Sequence, residues 1–310
     1  QDWDTGNAGD QPAYFRAAIA LDKGQGTIAN NTLRGRDYDI HTRYAIGTGL
    51  VIGGDEGNRF FGGGLYVGEI SAPVLIQNNT FSPDRSVFPF GEPDAGAAQW
   101  GDPGQIAVRL LSGSGLHAIG LEGNTFSNHS TGIHAQNLAN LTLAGNIFNA
   151  PTHGDQFRHL ILNTKVVSGV SHSVVQVPLG VAANGNVFHG SAAHSPAIAV
   201  DLVNHDANDA DFGALDFGDT TANQFNGNFT YYFHLDATES GEASREGTNQ
   251  APSPYSLYYS SAFGSASATE MGPFAGNVEA SNNSFDGKLP SAMTGEDVEA
   301  LQARTFHNDP

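Results

Sequence analysis

The sequence predicts an all-β solenoid of stacked short strands, and three observations carry that prediction. An Asn-x-Phe/Leu signature returns eight times along the 310 residues. Short segments of alternating apolar residues precede most of its copies. Glycine is abundant, at 39 residues, while windows rich in Leu, Glu and Lys are scarce, which disfavours helices and favours turns.

The copies are Asn31-Thr32-Leu33, Asn58-Arg59-Phe60, Asn79-Thr80-Phe81, Asn124-Thr125-Phe126, Asn146-Ile147-Phe148, Asn186-Val187-Phe188, Asn223-Gln224-Phe225 and Asn283-Ser284-Phe285. Successive asparagines are 27, 21, 45, 22, 40, 37 and 60 residues apart. The short spacings define one turn, and the long ones fit two turns or one turn with a loop. Upstream lie Ile19-Ala20-Leu21, Leu65-Tyr66-Val67, Ile106-Ala107-Val108, Ile133-His134-Ala135, Leu160-Ile161-Leu162, Ile198-Ala199-Val200 and Phe233-His234-Leu235. Their period of two marks strands whose first and third residues face inward. A unit this short cannot bury its apolar face alone, so the units must stack, each strand pairing with its copy roughly 4.8 Å away.

In "STGIHAQNLANLTLAGNIFNA" (130–150), Ile133 and Ala135 therefore line the core on one sheet, and Leu141 and Leu143 line it on the next. Asn146 turns the corner and Phe148 stacks on the Phe of neighbouring coils. Asparagine suits a corner because it tolerates left-handed backbone and its amide can bond the like amide above and below.

Repeats such as "LIQNNTF", "LEGNTF" and "LAGNIF" resemble those of the right-handed parallel β-helix, the pectate-lyase-like superfamily, over most of residues 15–290. A leucine-rich repeat shares the period but needs a regular Leu-x-x-Leu-x-Leu, which is absent. The expected architecture is a single domain over 1–310, a right-handed parallel β-helix with long lateral loops at about 82–104, 204–219 and 236–273 and a cap at about 291–310. Within the cap, "TGEDVEALQARTF" (294–306) reads as a short C-terminal helix. Thr294 is its N-cap, Glu296 and Asp297 occupy its first turn, and Val298, Leu301 and Phe306 cover the last coil. The opposite end, "DWDTGNAGDQPAYF", is too rich in Gly and Asp for a capping helix. One covered and one poorly covered end predict self-association or attachment to a larger chain. The chain starts with Gln1 and not Met, which points to processing or excision from something longer.

Composition limits the partners. Lys and Arg total 13 against 32 Asp and Glu, a formal charge of −19. Such a field repels nucleic acid and anionic lipid and favours cations or neutral partners. No cysteine is present, so disulfides, thiolate nucleophiles and Cys-based zinc sites are excluded together. No apolar run approaches the roughly 20 residues of a membrane-spanning helix, and no charged-then-apolar leader is visible.

Three loops interrupt the repeats. The first carries Phe88, Phe90 and Trp100, and the third carries Tyr258 and Tyr259. These aromatics either fold the loops back onto the solenoid or, with Tyr66 and His234 of the strand face, stack on and bind sugars. The second loop gathers Asp206, Asp209, Asp211 and Asp216, a candidate set of oxygen ligands for calcium. Its spacing is not that of an EF-hand, nor is that of "DWDTGNAGD" (2–10), where Asp2, Asp4, Asn7 and Asp10 offer oxygens. Solvation of an acidic surface is the competing reading for both segments.

On the strand face, the residue after each inward pair reads Asp22, Gly68, Arg109, Gln136, Asn163, Asp201 and Asp236. Carboxylates of Asp201 and Asp236 on adjacent coils would sit roughly 5 Å apart and repel. That arrangement suits acid/base or nucleophilic work on a glycosidic bond, with Arg109 and His134 binding or deprotonating a sugar acid. The marks of the better-known enzymes of the superfamily are missing. "LNTK" (162–165) lacks the Asp of the hydrolase Asn-Thr-Asp motif, and Gly-His-Gly, Arg-x-Lys, Trp-x-Asp-His and Arg-x-Pro-x-x-Arg are absent. Two expectations follow. The first is an extracellular or cell-surface solenoid with a structural, adhesive or glycan-binding role, its partner a polysaccharide or cell-surface glycan. The alternative is a secreted polysaccharide lyase or glycoside hydrolase working in a groove on the strand face.

Overall fold

A computed structural model describes residues 17–34, 38–43, 46–83, 106–112, 117–136, 140–152, 154, 156–163, 181–203, 210–218, 220–236, 265–266, 274–279, 283–289, 292–302 and 305–308. Its strands follow one another in a cycle of three, each visit to a sheet lying beside the previous one. The first coil is β1 (Ala17–Asp22), β2 (Gly26–Ile28) and β3 (Thr32–Leu33). The second is β4 (Tyr38–Arg43), β5 (Leu50–Gly53) and β6 (Arg59–Phe60), and the third is β7 (Leu65–Ile70), β8 (Val74–Gln77) and β9 (Thr80–Phe81). The cycle continues through β10 (Ile106–Ser112), β11 (Ile119–Glu122), β12 (Thr125–Phe126), β13 (Thr131–Gln136), β14 (Leu141–Ala144) and β15 (Ile147–Phe148). Then come β16 (Phe157–Asn163), β17 (Val181–Asn184), β18 (Val187–His189), β19 (Ala197–Val203), β20 (Ala210–Phe217), β21 (Gln224–Asn226) and β22 (Tyr231–Asp236). The last elements are β23 (Ser265–Ala266), β24 (Phe274–Glu279), β25 (Ser284–Phe285), helix α1 (Gly295–Gln302) and β26 (Thr305–Asn308).

Sheet A stacks β1, β4, β7, β10, β13, β16, β19, β22 and β26; sheet B runs from β2 to β24 with β23 at its edge; sheet C runs from β3 to β25. Every named pairing is parallel except that of β23 with β24. This is the geometry of a parallel β-solenoid, and the repeat dictates it. Ile133, Ala135, Leu141, Leu143 and Phe148 are all fully buried. The signature Phe rings form a column from Phe60 to Phe285, with successive centroids 4.3–5.1 Å apart. Removing Phe148 from such a column forfeits contacts on both faces.

The corner differs from expectation in one respect. The left-handed residue is not the signature Asn but its predecessor: Gly57, Asn78, Gly123, Gly145 and Gly185 have φ between 57° and 65°. That residue makes the bend, which turns the next side chain inward. The Asn amide, buried from Asn58 to Asn283 and half-buried at Asn31, then bonds along the stack.

Two boundaries also differ. The acidic segment 204–219 is not a loop throughout, because Ala210–Phe217 form β20, which pairs with β17 in sheet B and buries Phe217 in the core. The terminal helix ends at Gln302 and not near 306, after which the chain joins sheet A as β26. Thr294 caps α1 as expected: its Oγ1 accepts from Asp297 N–H at 3.3 Å, and Asp297 Oδ2 accepts from Thr294 N–H at 2.9 Å. Hydrogen bonds from Lys288, then from Thr294, hold the Asp297 carboxyl down at about 2. Leu301 closes the core at this end, 4% exposed.

Candidate functional site

The outer face of sheet A differs from the other two. Its register places His41, Tyr66, Arg109, His134, Ile161, Asp201 and His234 in one row across β4, β7, β10, β13, β16, β19 and β22. Seven strands span roughly 29 Å at the usual strand spacing. The equivalent row of sheet B reads Val51, Leu75, Gly120, Thr142, Ala182 and Asp216. On sheet C it reads Arg59, Thr80, Thr125, Ile147, Val187 and Gln224. Aromatic and ionisable side chains are therefore concentrated on one sheet, Arg109, Asp201 and His234 among them being buried.

The row corrects the expected register. Arg109 and Asp201 stand with Tyr66, His134 and His234, not after them, because the inward pairs on β10 and β19 are Val108 with Leu110 and Val200 with Leu202. Both strands read as apolar over more than three residues, so alternation alone left two frames open. Pairing with Ile133 and Ala135 selects one. Consequently Asp236 pairs with Val203 and lies two positions beyond His234, while the position opposite Asp201 is His234. The expected pair of carboxylates is replaced by a carboxylate and an imidazole.

At the first part of the row, the His41 and Tyr66 rings stack 4.6 Å apart at 7°, with Tyr38 tilted against both. Tyr66 lies along its own strand over Gly68, where an added Cβ would come within 2.8 Å of the ring. Glycine at 68 is what lets the ring lie down. Arg109 follows, nearly buried, and His134 is half-buried beside it. Ile161 separates this part from the next.

In the second part, Asp201 is fully buried and bridges three strands. His234 Nδ1 lies 2.8 Å from Asp201 Oδ1, and Arg158 Nη1 lies 3.0 Å from Asp201 Oδ2. The guanidinium N–H is poorly aligned, so the Arg158 contact is one of charge, whereas the imidazole contact is a hydrogen bond. Asp201 accepting at Nδ1 fixes the ring orientation, as carboxylates do for functional histidines. Tyr231 stacks on His234 at 5.0 Å. Sequence reasoning overlooked Arg158, because β16 bends so that Arg158 faces out while His159 turns into the core.

The remaining candidates fall elsewhere. Asp211 and Asp216 belong to strand β20, and Asp216 pairs with Ala182 on sheet B, away from the row. Asp206, Asp209, Phe88, Phe90, Trp100, Tyr258 and Tyr259, like residues 2–10, lie outside the described residues. Among the described residues no group of three or more His, Asp or Glu is placed to hold a metal ion, and no helix is long and apolar enough to cross a membrane. No family model, curated protein or solved structure matches the chain.

Proposed function

We propose that the chain is a right-handed parallel β-helix, exposed outside the cell or at its surface, that binds a glycan along the outer face of sheet A. The handedness follows the general rule for crossovers between parallel strands of one sheet. The single observation that supports the binding reading is the contrast between sheets: His41, Tyr66, Arg109, His134, Arg158 and Asp201 gather on sheet A, while sheets B and C carry mostly small or aliphatic side chains there. Rings and oriented donors and acceptors in a row seven strands long suit a long polyhydroxylated chain, which such side chains grip by stacking and hydrogen bonding.

A glycan array tests this. Binding that is lost in the Tyr66→Ala/His134→Ala double variant, with melting unchanged, is the expected result; an array without signal removes the reading. A second reading, cleavage of the bound chain, draws on the Asp201–His234 hydrogen bond, an arrangement suited to proton transfer. Assays for new reducing ends and for unsaturated uronate products on the array hits decide it.

A further inference from the structure

We infer that the Arg158–Asp201–His234 bridge couples glycan binding to proton uptake: an anionic sugar group draws Arg158 away from Asp201 only as His234 becomes protonated. The inference rests on the glycan-binding reading of sheet A and names the ligand class and its regulation. Asp201 is 0% exposed, and its partners among the described residues are Arg158 and His234. A buried carboxylate left without a cation is strongly penalised, so one of the two must always serve it. The two are not equally reachable. The Arg158 side chain is 27% exposed and the His234 side chain 3%. Arg158 is thus the partner a ligand can engage, and its fork matches a carboxylate in two parallel hydrogen bonds.

When the ligand takes that fork, Asp201 keeps a counter-charge only if His234 carries a second proton. Histidine is the side chain that exchanges a proton near neutral pH. Among the described residues, these groups are placed around His234. Asp201 faces it from β19, Tyr231 stacks on it from its own strand, Arg158 reaches the far oxygen of Asp201 from β16, and β26 places His307 at the paired position. Asp201 is the row's one carboxylate, so an arriving anion meets no second negative group in the row. The chain's overall −19 charge acts against anions at long range, but at physiological salt that field decays over about 8 Å. The balance is one proton taken from solvent per anion bound, with no covalent bond broken.

The test is calorimetric titration of hexagalacturonate, with maltohexaose as its neutral counterpart, into the full chain between about pH 5 and 8, the range in which histidine titrates. Two buffers of different ionisation heat report the protons taken up. Up to tenfold weaker hexagalacturonate binding per pH unit, approaching about one proton per site, is expected. Maltohexaose affinity should stay flat. His234→Gln should abolish the slope and Arg158→Gln the preference for the anion, with melting curves confirming that both variants fold. Hexagalacturonate affinity independent of pH, or a His234→Gln variant that keeps the native slope, overturns the inference and leaves the glycan reading standing. Absence of hexagalacturonate binding at every pH also overturns it, and a silent glycan array then removes the broader reading as well.

Discussion

Asn146 donates through Nδ2 to the Oδ1 of Asn186 on the next coil at 2.9 Å, and the same Oδ1 accepts the Asn146 backbone N–H at 3.0 Å. The other Nδ2 hydrogen reaches back to the Leu121 carbonyl at 2.8 Å. Seven such links run from Asn31 to Asn283, all with the same polarity. The ladder satisfies corner backbone groups that sheets B and C leave unpaired. Replacing Asn146 by Ala strands the Asn124 backbone N–H and takes one partner each from the Asn124 Nδ2, which keeps its bond to the Ile76 carbonyl, and from the Leu121 carbonyl. Each unsatisfied buried group costs about 1–3 kcal/mol, so a loss of about 3–5 kcal/mol is expected from the denaturation midpoint. A loss below about 1 kcal/mol would show that water replaces the amide there.

The Phe column makes a parallel prediction. Phe148 sits between Phe126 and Phe188 at 4.8 and 4.7 Å and is fully buried. Phe148→Ala should destabilise by about 3–5 kcal/mol, and Phe148→Leu by less, as read from chemical unfolding. Equal effects of the two would contradict tight ring packing.

Why the stack was legible and the site only in part comes down to period. Asn79, Asn124 and Asn146, with Phe81, Phe126 and Phe148, recur at one corner, and repetition over eight coils averages out local ambiguity. Arg109 and Asp201 occur once each, in strands whose neighbours Ala107, Val108, Ala199 and Val200 are all buried, so period two offers more than one frame. A bend in the strand is harder still to read. Gly132 lies against the His159 carbonyl, with 2.6 Å from its virtual Cβ, and there two successive residues, such as His159 and Leu160, both face inward. That bend is what brings Arg158 out to Asp201, and no composition signal announces it.

Gly68 gives a test of the site that leaves the core intact. A valine there collides with the Tyr66 ring, which must lift from the sheet, since the contact would be 2.8 Å. Glycan affinity is expected to fall about tenfold, equivalent to about 1.4 kcal/mol, with little change in melting. Unchanged binding to array hits would mean that Tyr66 takes no part in the contact.

His159 supplies the pH prediction. Its ring is enclosed by Phe157, Phe148, Phe229 and Phe188, with centroids 4.7–6.2 Å away, and its Nε2 lies 2.8 Å from the His189 carbonyl, to which it donates. Burial among these rings lowers its pKa from 6.5 to about 4, outweighing the opposing effect of the hydrogen bond. The unfolded chain therefore binds a proton that the folded chain refuses between those values. Stability from this group is full above pH 6.5, declines as pH falls, and is lost by about pH 4. A difference of 2.5 pH units corresponds to roughly 3 kcal/mol. Other groups titrate in the same window, so the informative quantity is the stability of the native chain minus that of His159→Phe at each pH. That difference should shrink by about 3 kcal/mol between pH 7 and pH 4. A constant difference across the window would mean that His159 accepts its proton without leaving the core.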